Sequence, residues 1–359
     1  MTPSHPGIGQ PLTEVPRRRL GRSPVQVTEL SFGGAAIGNL FTAVTDDDAR
    51  AAIDAAWDGG IRTFDTAPHY GLGLSERRLG AALRDRPRDA YVVCTKVGRV
   101  LEASSGGLAG AGGRAGAGGG AGDRGLAGDP EGFAVPADYV RRFDFSADGV
   151  RRSLAASLDR LGLDRVDIAL IHDPDTHGEQ AFREAYPALE KMRAEGTVRA
   201  IGAGMNQTAM LTRFITDTDV DVVLVAGRCT LLDKSADEAL LPAARRRGVS
   251  VIAGGVFNSG LLANPVPGAT YDYHAASEEL ITRARGLAAE CDRLGVPLRA
   301  AAARFPLTRD AVASVLIGAR TASEISDAIA LRALDIPAAL WDALDTCDGK
   351  GPPDRKGNA

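Results

Sequence analysis

The stretch SADGVRRSLAASLDRLGLDRVDIALIH, residues 146–172, holds one complete unit of the fold. Behind Ser146, whose hydroxyl suits a helix start, Val150, Leu154, Leu158 and Leu161 recur at helical spacing. The apolar run Val166–His172 that follows is too short for a helix and reads as a strand. Outward in both directions the alternation repeats. Strands are expected at Glu29–Phe32, Ile61–Asp65, Tyr91–Lys96, Val198–Ala203, Val220–Ala226, Val249–Ala253 and Ala313–Ile317, which with Val166–His172 makes eight. Thr45 and Asp48 start a helix carrying Ala49, Ile53, Ala56 and Trp57, which Gly59-Gly60 stops. Thr321 and Glu324 form a second capping box before Ile325 and Ile329. Eight strands, each followed by a helix, predict an α/β fold of the (β/α)8 TIM-barrel type rather than an open doubly wound sheet.

A length of 359 residues suits one such barrel. Arg19–Val27, with Ser23-Pro24 at its middle, reads as a β-hairpin ahead of the first strand. Residues 1–16 hold four prolines and no apolar period, and residues 348–359 are rich in Gly, Pro and Lys; both are expected to be disordered tails flanking a barrel over 17–347. Between the third strand and its helix, Glu102–Gly128 has twelve glycines in twenty-seven residues and no aromatic ring, which predicts a mobile insertion (102–128).

Composition excludes several classes. A net charge of −4 argues against a nucleic-acid surface of the usual basic kind. No run of eighteen apolar residues predicts a membrane span, and no basic-then-apolar leader is visible, so a cytoplasmic protein is expected. Cys94, Cys229, Cys291 and Cys347 lack CxxC spacing, which suggests neither a zinc site nor a disulfide framework. Arginine outnumbers lysine 37 to 5, so a lysine inside an expected strand, as Lys96 is, asks why arginine would not serve.

In a barrel the reacting groups lie at the C-terminal ends of the strands. Strand alternation groups Ile61, Thr63 and Asp65; Val92, Cys94 and Lys96; and Val166, Ile168, Leu170 and His172. If the apolar members face inward, Asp65, Lys96 and His172 reach one rim, and Tyr70 follows Asp65 closely enough to fold over it. A phenol is too weak an acid to serve as a base at neutral pH unless a neighbouring ammonium favours the phenolate. A carboxylate would keep that ammonium charged, and an imidazole would bind the substrate oxygen. Lysine fits because its ammonium is a compact point charge, whereas guanidinium is a wide fork. Taken singly, Asp65 could cap a turn, Tyr70 could be a packing aromatic and His69 reads as a loop residue. His172, Asp173, Asp175 and His177 have ligand chemistry, but Pro174 breaks the spacing and no metal is expected.

The run FDTAPHYG (Phe64–Gly71), the strand-end Lys96 and His172 within LIHDPD resemble the tetrad of the aldo-keto reductases. TAPHYGLGLSE, KVGR, the long stretch from Phe143 to Ile168 and HDPD resemble the branch that oxidises D-threo-aldoses, L-fucose or pyridoxal. The resemblance implies Tyr70 as acid/base, Lys96 as its tuner, Asp65 as the partner of Lys96 and His172 as the substrate-orienting group. It also implies a nicotinamide cofactor. VLIGARTASEIS (Val315–Ser326) opens a helix whose free N–H groups suit an anion, with Gly318, Arg320, Thr321 and Glu324 lining the site. GGVFNSGLL (Gly254–Leu262) resembles the pyrophosphate loop, with Phe257, Asn258 and Ser259 as contacts. Gly254 stands where the family places a stacking aromatic, and its usual Ser-Asn is replaced by Gly204-Met205-Asn206, leaving Asn206 and Arg228 as further cofactor candidates.

Oxidation of an aldose at its anomeric carbon to the lactone, with NAD (NADP possible), is therefore expected. Pyridoxal oxidation to its lactone, general carbonyl reduction and a non-catalytic regulatory barrel are the alternatives. The expected partner is a small-molecule substrate, aldose or pyridoxal, with no membrane and no nucleic acid; the residues leave the oligomeric state open.

Overall fold

The computed structural model describes residues 15–104 and 129–347. Eight parallel strands close on themselves in chain order: β1 (Leu30–Gly33), β2 (Thr63–Asp65), β3 (Val92–Val97), β4 (Ile168–His172), β5 (Ala200–Met205), β6 (Val222–Ala226), β7 (Ser250–Gly254) and β8 (Val312–Gly318). Stretches such as VVLVA in β6 are apolar at successive positions because both strand faces are covered. Inside the barrel pack Val92, Cys94, Ile168, Leu170, Val222 and Leu224, as strand parity predicts. Ile61 and Val166 precede their strands and pack in the outer layer instead.

The outer layer is built from amphipathic helices α1 (Asp46–Asp58), α2 (Leu74–Leu83), α3 (Ala147–Leu161), α4 (Tyr186–Ala194), α5 (Thr208–Asp217), α6 (Leu240–Arg247), α7 (Glu278–Arg293), α8 (Leu298–Arg304), α9 (Ala322–Ala333) and α10 (Ala338–Cys347). The hydroxyls expected to cap helices do so: Thr45 Oγ1 accepts from the Asp48 amide and Ser146 Oγ from the Gly149 amide, both at 3.0 Å. The other end of the barrel is closed by the expected hairpin, Arg17–Arg19 against Gln26–Thr28, which sends Leu20, Val25 and Val27 into the interior.

Three features depart from the simple alternation. After β7 the chain makes a small antiparallel pair, Thr270–Tyr271 with His274–Ala275, and then α7 before the repeat resumes with α8. The first residues of the expected insertion, Glu102 and Ala103, are strand: Arg99–Ala103 pairs antiparallel with Tyr139–Phe143, and the remainder, residues 105–128, lies outside the described residues. The β-branched and aromatic residues Val100, Tyr139, Val140 and Phe143 favour this largely exposed ribbon. Finally, Val15, within the expected tail of residues 1–16, is 1 % exposed and packs against the core.

Candidate active site

The ladder aligns the rim. Asp65 ends β2 opposite Cys94, Lys96 lies opposite Leu170, and His172 ends β4 opposite Gly204. Asp65, Lys96 and His172 thus point into one mouth, each no more than 6 % exposed. Lys96 Nζ donates to Asp65 Oδ1 at 2.8 Å, Asp65 Oδ2 at 2.7 Å and the Thr66 carbonyl at 3.0 Å. All three ammonium donors are used, a geometry the planar guanidinium of arginine would not reproduce. Tyr70 folds back in a turn, its amide bonded to the Ala67 carbonyl, and its ring centroid lies 4.8 Å from Lys96 Nζ. The ring of His172 meets that of Tyr70 edge-on at 5.9 Å. The four residues expected to converge are brought together.

Their electrostatics refine the expectation. Burial pulls the Lys96 ammonium down, but the charge of Asp65 more than reverses this and Lys96 stays protonated, above the ordinary lysine value. Burial raises the Tyr70 phenol, the Lys96 charge opposes it, and burial prevails, so Tyr70 lies above the usual tyrosine range. The lysine therefore moderates the phenol without bringing it below normal. Burial, aided by Arg99 and Lys96, holds His172 well below the ordinary imidazole value, so it is neutral.

A second ring of charged groups was not legible in the sequence. Gly98, at φ +99°, turns the chain sharply after β3; a Cβ there would lie 2.1 Å from the Phe145 ring. The turn delivers Arg99, whose Nη2 donates to Asp173 Oδ2 at 2.6 Å and whose Nη1 lies 3.1 Å from His69 Nδ1. From the partner strand, Arg141 binds both oxygens of Asp129 at 2.5 Å and donates to the His69 carbonyl at 2.8 Å. Asp173 sits at φ +42°, an uncommon conformation for a residue with a side chain, and its Oδ2 is 3.4 Å from His172 Nε2. Burial and the charges of Arg99, Arg141 and Lys96 push His69 down to about 2. In an arginine-rich chain nothing marked Arg99 or Arg141 out from surface arginines. His177, whose ring has ligand chemistry, stacks on Phe143 at 5.0 Å.

Above these groups opens a cavity of about 500 Å³. It is lined by Tyr70, His69, His172, Asp173 and Asn206 together with the rings of Phe133, Phe41 and Tyr273, and Phe133 packs edge-on against His69 at 5.1 Å. The remaining cofactor candidates fall at neighbouring strand ends. Gly318 ends β8 beside Gly33, and α9 begins just beyond it with Thr321 Oγ1 accepting from the Glu324 amide at 3.3 Å. Glu324 Oε2 in turn accepts from the Arg320 amide at 2.7 Å, and Oε1 is 3.4 Å from Arg320 Nη2. Past β7, Asn258 and Ser259 both adopt positive φ, at +46° and +57°. Asn258 Oδ1 is buried without a partner, Ser259 Oγ accepts from the Tyr273 amide at 3.0 Å, and Phe257 packs between two apolar clusters. Arg228 is committed elsewhere: it binds Asp272 at 2.7 Å and Asp233 at 3.1 Å, and its Nε donates to the Asn206 carbonyl at 3.3 Å. The N-terminus of α9 with the exposed Arg320 suits an anionic end of an extended cofactor, while the buried, unpaired Asn258 Oδ1 is an acceptor that suits an N–H or O–H of such a group rather than a phosphate. A Cβ on Gly254 would meet Leu224 at 3.6 Å and Ala226 and the Val225 carbonyl at 4.0 Å, ordinary contact.

The model of the aldo/keto reductase family matches residues 29–349. A D-threo-aldose 1-dehydrogenase of a Pseudomonas species is 44% identical over 89% of this chain and 93% of its own. A pyridoxal 4-dehydrogenase of Microbacterium luteolum is 37% identical over 91% of this chain and 96% of its own. Among solved structures, an aldo-keto reductase of Bacillus halodurans in its holo form superposes with a TM-score of 0.69 at 22% identity, covering 93% of this chain and 96% of that one. The chain belongs to the aldo/keto reductase family and is an NAD(P)-dependent oxidoreductase.

Proposed function

We propose that this aldo/keto reductase oxidises an aldose, as its cyclic hemiacetal, at the anomeric carbon to the lactone, with NAD preferred over NADP. The observation that carries the reading is the Asp65–Lys96–Tyr70–His172 constellation beside a cavity whose lining mixes polar groups and aromatic rings. Such a cavity offers both hydrogen-bonding groups for hydroxyls and ring surface for the C–H face of a sugar. The relative named D-threo-aldose 1-dehydrogenase supports the same substrate class.

A nicotinamide, when bound, supplies the hydride acceptor. Gly318, Arg320, Thr321 and the first turn of α9 are the residues that would hold its adenosine end, with Phe257, Asn258 and Ser259 at the pyrophosphate and Asn206 near the ring. The chain's own residues handle the proton. Tyr70 Oη, as phenolate, takes the proton of the anomeric hydroxyl as the carbon–oxygen double bond forms. Lys96, fixed by Asp65, stabilises that phenolate, while neutral His172 donates a hydrogen bond to the same substrate oxygen. Because burial leaves the Tyr70 phenol above its usual range, oxidation accelerates toward alkaline pH. For cofactor choice, the carboxylate of Glu324 stands on the first turn of α9 and would repel the 2′-phosphate of NADP.

Pyridoxal, whose internal hemiacetal also gives a lactone, is the second reading, favoured by the rings of Phe133, Phe41 and Tyr273 lining the cavity and by the Microbacterium relative. Initial rates of nicotinamide reduction with a panel of aldoses and pyridoxal separate the two. Higher kcat/KM on an aldose is the expected result; turnover of pyridoxal alone would replace it with the second reading.

A further inference from the structure

His69 directly precedes Tyr70 and has no part in the chemistry above. Its ring meets that of His172 edge-on at 5.6 Å, that of Tyr70 at 5.9 Å and that of Phe133 edge-on at 5.1 Å, and it lines the cavity. Two groups face its Nδ1: Arg99 Nη1 at hydrogen-bond distance, and Glu131 Oε2 at 3.6 Å, beyond that distance and itself accepting from Arg99 Nη1 at 3.4 Å. The atom 3.1 Å from His69 Nδ1 is a guanidinium nitrogen of Arg99, and guanidinium has hydrogens to give but no lone pair to offer. Nδ1 is therefore the acceptor, and in the neutral ring the hydrogen sits on Nε2. Arg99 is itself fixed by Asp173 at 2.6 Å and stacks over Phe143 at 5.1 Å, while Arg141 holds the His69 backbone. Burial and three surrounding cations oppose a second proton on the ring.

We propose that His69 is a specificity-determining residue that donates a hydrogen bond from Nε2–H to the hydroxyl on the carbon beside the anomeric centre, with Arg99 as the positioning residue that fixes its tautomer. The inference rests on the aldose reading. With the anomeric oxygen on Tyr70 and His172, the adjoining ring of His69 reaches the neighbouring position of the sugar, where a hydroxyl can accept. The donor is preset, so the site spends little ordering it and leaves an unpaired buried N–H when the hydroxyl is missing.

The test compares an aldose substrate with its 2-deoxy counterpart in wild type, His69→Phe and His69→Gln. Wild type favours the parent sugar by about tenfold or more in kcat/KM, the scale of one hydrogen bond with its unpaired donor. His69→Phe loses about tenfold on the parent sugar, chiefly through KM, and changes little on the deoxy sugar. His69→Gln, which can place an N–H near the Nε2 position, recovers part of the preference; if Phe is not accommodated, His69→Leu carries the same expectation. Equal losses on both sugars, or none, overturn the role of His69 while leaving the aldose reading intact. Absence of aldose turnover by wild type removes that reading and this inference with it.

Discussion

Replacing Lys96 with methionine tests the electrostatic core of the site, because it keeps an unbranched side chain out to Cε and deletes the ammonium. The ammonium lies 4.8 Å from the Tyr70 ring centroid. Taking that as the charge separation at an effective dielectric constant of about 20, its attraction for the phenolate is about 3–4 kcal/mol, or roughly 2–3 pKa units. Tyr70 already lies above the ordinary tyrosine value because of burial. Without Lys96 its phenolate would form only at far more alkaline pH. On the rising limb of the pH profile that predicts a loss of about 10²–10³-fold in oxidation rate at any fixed pH below the wild-type pKa. The same change strands Asp65, which is 3 % exposed and loses both of its bonds to Nζ, at a cost of about 3–5 kcal/mol of folding stability. The Asp65→Asn, Lys96→Met double variant regains part of that stability and none of the rate. The assay is a pH series of initial rates of nicotinamide reduction, with fluorescence titration of the reduced cofactor to verify binding and thermal melts to follow stability. A Lys96→Met enzyme with residual activity and an unshifted pH profile would refute the reasoning.

Tyr70→Phe should lower kcat by about 10²–10⁴-fold with cofactor affinity retained, as steady-state kinetics and the same titration would reveal. In wild type, oxidation should keep rising with pH through the ordinary tyrosine range. His172 is held below its usual value, so lowering the pH to 6 should produce no separate inflection from its protonation. Glu324→Arg should shift preference toward NADP by about 1–3 kcal/mol in kcat/KM, while Glu324→Gln, which keeps an acceptor for the Arg320 amide, should shift it less. Gly98→Ala forces a side chain into positive φ against the Phe145 ring and should cost about 1–3 kcal/mol, read as a lower melting temperature.

The barrel was legible because its signals are local and repeated. Strand runs, capping residues such as Thr45 and Ser146, and terminating glycines each act within a few residues. The tetrad was legible for a related reason: strand parity and strand ends place Asp65, Lys96 and His172 at one rim without knowledge of loops. The second ring escaped because it depends on loops. Arg99 and Arg141 reach His69 only through a ribbon whose two strands are separated by the glycine-rich stretch, and no spacing rule joins them. His69 looked like a loop residue for the same reason; its environment is created by residues 30 or more positions away. Arg228, read from the sequence as a further cofactor candidate, has ion pairs to Asp233 and Asp272 that no local spacing announced.

The central claim is that hydride leaves the anomeric carbon while Tyr70 takes the hydroxyl proton. Oxidation of an aldose carrying deuterium at C1 tests it most directly. Mass spectrometry should find the deuterium in the reduced nicotinamide and a lactone as the first product, which then opens to the acid in water. Deuterium retained in the sugar product, or oxidation at another carbon, would contradict the account.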